Sequence, residues 1–128
     1  MIEVTEQQFH EMIDRAFESL PRMHRDAVRN VAIVVEDWPS ELQREELQLR
    51  CDQTLLGLYT GVPLPQRQGR VNDLPPDVIT LFKQPLLAES SDEASLYANI
   101  HHTLWHEVAH YFGLDHKQIH KLENGARN

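Results

Sequence analysis

Residues 106 to 116, HEVAHYFGLDH, place His106, Glu107, His110, Gly113 and His116 at fixed offsets within eleven positions. Shuffled chains of the same composition yield this pattern roughly once in ten thousand attempts. Six of the eight histidines fall after residue 100, which raises that frequency without making the pattern common. The stretch constrains the fold because it requires a helix that stops. His106 and His110 lie one turn apart, a rise of about 6 Å, so their imidazoles share a helix face. On an unbroken helix His116 would lie about 15 Å along the axis from His106, too far to join them. Gly113 removes the difficulty, since glycine adopts the left-handed conformation that ends helices and lets the chain turn back.

A helical wheel centred on His106 places Asn99, His102, His110 and Gly113 within about 40° of it. Tyr97, Ile100, Leu104, Val108 and Tyr111 fall opposite, between about 120° and 200°, and form an apolar back for the core. The histidines therefore face a cleft or solvent. Two imidazoles at this spacing can converge on a zinc ion at about 2.0 to 2.1 Å each, with His116 as the third ligand. Three neutral imidazoles leave the fourth tetrahedral position to water, the arrangement of a catalytic zinc. Glu107, about 100° round the helix from His106, is then placed as a general base rather than a ligand. It would take a proton from water activated by the ion and pass it to a leaving amine. Asp115 reads as the N-cap of a following helix more readily than as a ligand, since its side chain can accept the free amides of that helix. His101, His102 and His120 read as solvated or supporting groups, with His102 the one candidate substrate contact. Tyr59 and Tyr111 offer phenols, but neither receives a catalytic assignment, and Tyr111 lies on the core side of the wheel.

The rest of the chain supplies a frame for that helix. Thr5 with Gln8 forms a capping box, and Phe9, Met12, Ile13, Ala16, Phe17 and Leu20 follow at helical spacing up to Pro21. PRMHRDAVRN then allows a short helix. VAIVVEDWP is continuously apolar at its start and β-branched, as expected of a strand covered on both faces. Ser40 and Gln43 can cap a charged helix through ELQREELQL, whose charges read as a solvated face with i,i+4 pairs. LLGLYTG and DVITLFKQPL read as two more strands. Between them VPLPQRQGRVNDLPP carries four prolines and a glycine in fifteen residues, which predicts a surface loop. Ser90 with Glu93 is expected to open the helix of residues 92 to 112, and Asp115 with Gln118 a last short helix toward Gly125. The expected order is a helix, three strands and two helices, an α+β fold in one domain spanning residues 1–128.

Composition narrows the partners. A chain of 128 residues is long enough to bury roughly two thirds of its unfolded surface without staples. Its single cysteine, Cys51, has no partner within the chain and reads as a packing residue of a protein in a reducing cytoplasm. The start, MIEVTEQQFHEMIDR, has neither the basic residues nor the apolar run of a signal peptide, and the aliphatic run VAIVV is too short to span a membrane. The net charge of −8, with lysines and arginines scattered, argues against binding nucleic acid.

HEVAHYFGLDH resembles the zincin metallopeptidases in the three-histidine form used by metzincins. Metzincins also place a methionine turn after the third histidine, whereas here the methionines are Met1, Met12 and Met23. The chain more closely resembles the minimal, single-domain zincin-like metallopeptidases of bacteria. That resemblance covers most of its length, through LPRMHRDAVRNVAIVVEDWP, LLGLYTGVPL, LPPDVITLFKQPL and HEVAHYFG. It implies a small α+β domain, with a three-stranded or slightly larger sheet packed on an N-terminal helix and a long C-terminal active-site helix. It further implies one Zn2+ per chain, held by His106 and His110 with His or Asp third, and a peptide or protein substrate. Two other readings compete with a zinc hydrolase. A metal-dependent endoribonuclease family carries a similar HxxxHxxGxDH stretch, but has glycine where this chain has Glu107. A zinc-dependent binding module would keep the metal for stability or regulation alone.

Overall fold

The structure is a computed structural model and describes residues 2–28, 31–46, 55–61 and 77–113. Thr5 begins the first element as expected: its hydroxyl accepts from the Gln8 N–H at 3.0 Å and its own N–H donates to the Gln8 side chain at 2.8 Å. These two bonds satisfy donors that a helix start otherwise leaves open. Helix α1 runs over Glu6–Glu18 and buries Phe9, Met12, Ile13 and Ala16. The short helix α2, Arg22–Ala27, follows Pro21.

Strands β1 (Val31–Glu36), β2 (Gly57–Thr60) and β3 (Asp77–Phe82) form a mixed sheet in the order β1-β3-β2. β1 runs parallel to β3, with Val31 opposite Asp77, and β2 runs antiparallel to it, with Tyr59 opposite Ile79. Helix α3, Glu41–Glu46, lies between β1 and β2 in sequence and carries the expected Ser40–Gln43 box. The central position of β3 corrects one expectation. β1 is not covered on both faces: its residues alternate between half-buried and exposed, and Val34 is 37% exposed. Buried instead are Asp77, Ile79, Thr80, Leu81 and Phe82 of β3. An apolar β-branched run tells of strand propensity, but the pairing order decides which strand is enclosed.

The expected third strand is also shorter than DVITLFKQPL. It ends at Phe82, and Lys83–Ala88 forms helix α4. Pro85 sits in its first turn, where a missing N–H removes no intrahelical bond. The Gln84 N–H, another first-turn donor, reaches the Asp37 carbonyl at 3.1 Å. Helix α5, Glu93–Tyr111, takes its box from Asp92 and Ser95 rather than from Ser90 and Glu93. The Ser95 N–H donates to Asp92 Oδ1 at 2.8 Å and the Asp92 N–H to Ser95 Oγ at 3.0 Å. Ser90 is buried, donates to the Leu86 carbonyl at 2.7 Å and accepts from the Asn99 amide at 2.9 Å. It closes α4 instead of opening α5.

One core joins α1, β3, α4 and α5 through Phe9, Ile13, Ile79, Leu81, Leu86, Ile100 and Val108. The architecture is α+β, a small sheet with a long C-terminal helix laid against it. Among the described residues no helix is long and apolar enough to cross a membrane. Cys51, the proline-rich stretch 62–76 and the expected last helix lie outside the described residues.

Candidate metal centre

The wheel holds for α5. Leu96, Ile100, Leu104, Val108 and Tyr111 are buried, while His102 is exposed and His106 and His110 are half-buried. Tyr97, expected on the apolar back, is half-buried under the Arg15 guanidinium, which stands 4.7 Å from the ring centre. The N-terminal end of the histidine stripe is structural, because Asn99 bonds the Glu89 carbonyl and Ser90. His102 and His106 have ring centres 6.3 Å apart, His106 and His110 only 4.9 Å. Two imidazoles bound to one tetrahedral ion at about 2.0 to 2.1 Å would have ring centres roughly 5 Å apart. The His106–His110 pair therefore fits a shared ion.

The helix stops where the sequence requires. Phe112 is its C-cap, Gly113 has φ 80°, and the Gly113 N–H donates to the His110 carbonyl at 2.9 Å. This is the left-handed C′ position of a Schellman-type end, which glycine adopts without steric cost. His24 of α2 braces this end, with its ring centre 5.1 Å from that of Trp105 and 5.2 Å from that of Phe112. His116 and Asp115 lie beyond the described residues, among which no set of three histidine, cysteine or carboxylate side chains gathers. Gly113→Val is expected to weaken zinc binding without removing a ligand, since a β-branched residue resists positive φ. Titration with a chelating indicator checks it, and wild-type affinity in the folded variant would contradict the role given to the turn.

Glu107 sits one position from the stripe and is nevertheless only 8% exposed. Strand β2 covers it. The Phe82 N–H donates to the Leu56 carbonyl at 3.0 Å, and strand alternation then turns the backbone groups of Leu58 and Thr60 toward β3. The Tyr59 N–H points the other way, off the sheet edge, and donates to the Glu107 carboxylate. Burial pushes the Glu107 carboxyl up to about 7, while this hydrogen bond pulls in the opposite direction. A carboxyl group partly dehydrated and held by one backbone donor is equipped to exchange protons near neutrality.

Gly57 makes the approach of β2 possible. A Cβ there would stand 2.6 Å from Thr103 Cγ2, 3.3 Å from the Thr80 carbonyl and 3.4 Å from Glu107 Cγ. Gly57→Ala should accordingly cost about 1 to 3 kcal/mol, measured as a lower denaturant midpoint. An unchanged midpoint would mean that β2 and α5 are less tightly apposed. Sequence reasoning did not single out Gly57, Thr103 or Asp77 for the site. A signal existed in LLGLYTG, since a glycine inside a strand pattern marks close backbone approach. Tyr59 and Tyr111 are committed elsewhere than the histidine face: the Tyr59 phenol donates to Asp77, and the two tyrosine rings meet edge to face at 6.2 Å.

The sequence profile of the family described as zincin-like metallopeptidase matches residues 28–126. In fold the chain is similar to a conserved hypothetical protein from T. thermophilus, with a TM-score of 0.54 and 18% identity over 97% of this chain and 100% of that one. At this identity the likeness speaks for the fold alone. No curated protein matches the sequence.

Proposed function

This chain belongs to the zincin-like metallopeptidase family, and on that premise we propose that it hydrolyses peptide bonds with one zinc ion held by His106, His110 and His116. The observation that carries the proposal is the placement of Glu107, next in sequence to the first of two paired imidazoles, buried under β2 and held by the Tyr59 N–H. Bound zinc supplies Lewis acidity, which acidifies water and polarises a carbonyl. The chain's own residues do the rest. His106 and His110 present their rings from one helix face at a centre spacing of 4.9 Å, which suits two ligands of one ion. Glu107 accepts the proton of the attacking water and returns it to the departing amine, and the Tyr59 N–H keeps its carboxylate from swinging away. Asp115 is the substitute for His116 in this arrangement.

Glu107 also argues against the nuclease reading, which needs no carboxylate at that position. The net charge of −8 gives an RNA backbone little attraction. The test is a screen of a diverse peptide library by mass spectrometry, with structured and single-stranded RNA assayed in parallel, using native and zinc-stripped protein. Peptide cleavage that disappears on stripping and returns with zinc is the expected result. RNA cleavage would favour the nuclease. Cleavage of neither, with a melting temperature that falls on stripping, would make the zinc a stabilising ion of a binding module.

A further inference from the structure

The mechanism above makes no use of the Tyr59 phenol or of the buried carboxyl group it meets. Asp77, the first residue of β3, is 1% exposed, and its Oδ2 accepts from the Tyr59 phenol at 2.5 Å. Burying a carboxylate is costly, and an apolar residue at a strand start would pack without that cost. The surroundings are nonetheless shaped for it: a Cβ on Gly61 would stand 2.3 Å from Asp77 Cγ, so glycine leaves the room that the carboxylate fills. The Tyr111 ring meets the Tyr59 ring edge to face.

Tyr59 thereby joins two sites. Its side chain is anchored to Asp77 while its backbone N–H, pointing off the sheet edge, donates to Glu107. β2 has four residues and, among the described residues, pairs with β3 alone. A short edge strand frays readily, so the direction of an N–H that lies outside the ladder depends on what else fixes the residue. We propose that Asp77 and the Tyr59 phenol form a clamp that holds the Tyr59 N–H against Glu107, making both positioning residues for the general base. Its bearing on catalysis rests on the role given to Glu107 above, whereas the clamp itself is a statement about β2.

Amide hydrogen exchange and chemical shifts in the full-length, zinc-loaded, 15N-labelled protein test it. Tyr59→Phe removes one hydroxyl and Asp77→Asn replaces one carboxyl oxygen by an amide group, and Glu107→Ala marks where the Tyr59 amide resonates without its acceptor. In both clamp variants Tyr59 amide exchange should accelerate by about tenfold or more relative to Leu58 and Thr60, and its resonance should move toward the Glu107→Ala position. With a cleavable peptide, kcat should fall by about tenfold while KM stays within about twofold, because substrate binding does not involve the clamp. Wild-type protection and shift at Tyr59 in either variant would overturn the proposal. A uniform acceleration at Leu58, Tyr59 and Thr60 would also overturn it, by showing a purely stabilising pair. If the wild-type protein cleaves no peptide, the peptidase reading fails, yet the Tyr59 amide still decides the clamp.

Discussion

Glu107→Gln is expected to leave zinc occupancy intact and to lower peptide hydrolysis by about 10²- to 10⁴-fold. Glutamine keeps the length of the side chain and a carbonyl oxygen able to accept the Tyr59 N–H, so the position under β2 is preserved. What it lacks is a group that can take a proton from water at neutral pH. The loss should therefore fall on kcat, with little change in KM, since the removed interaction belongs to the reaction and not to ground-state binding. Burial favours this substitution structurally, because an uncharged amide is easier than a carboxylate to hold in a mostly dehydrated position. Turnover in the variant at more than about a tenth of the wild-type rate would remove Glu107 from the role of base. RNA cleavage that persists in the variant would move the activity to the nuclease class.

His106→Ala combined with His110→Ala is expected to abolish stoichiometric zinc binding, measured by metal analysis after gel filtration, where the parent protein holds about one ion per chain. Their rings, 4.9 Å apart on one helix face, have the centre spacing of two ligands of one tetrahedral ion. Removing both leaves at most one of the three proposed ligands. Because both are only half-buried, their truncation should open no large cavity, and the variant should fold. His116→Ala should weaken zinc binding far more than Asp115→Ala. The opposite ranking would transfer the third position to Asp115, and retention of one tightly bound zinc by the double variant would place the ion elsewhere.

Local signals in the chain are legible where the physics is local. The Thr5–Gln8 and Ser40–Gln43 boxes involve residues three apart, and each closes as spacing dictates. The expectation that Gly113 takes positive φ meets a φ of 80°, because the end of a helix has few ways to satisfy its carbonyls. Competition between equally good local choices is less legible. Ser90–Glu93 and Asp92–Ser95 both have box spacing; the choice falls to Asp92 because Ser90 is drawn inward by the Leu86 carbonyl and Asn99. KQPL reads as the tail of a strand but forms a helix, whose first-turn donor at Gln84 meets the Asp37 carbonyl, distant in sequence.

By itself the sequence determined the histidine stripe, the apolar back of its helix, the glycine that ends it and the family to which the chain belongs, because each depends on residue spacing along one segment. Tertiary structure decided that β3 and not β1 is enclosed, that Gly57 lets β2 lie against Thr103, and that Glu107 is buried and held by Tyr59. Those outcomes depend on which strand edge meets which helix face, and nothing in the spacing HEVAH specifies what will cover its glutamate. A motif can fix which helix face two imidazoles share, but the environment of the glutamate that lies between them in sequence is set by residues far upstream in the chain, brought there by the pairing of β2 with β3.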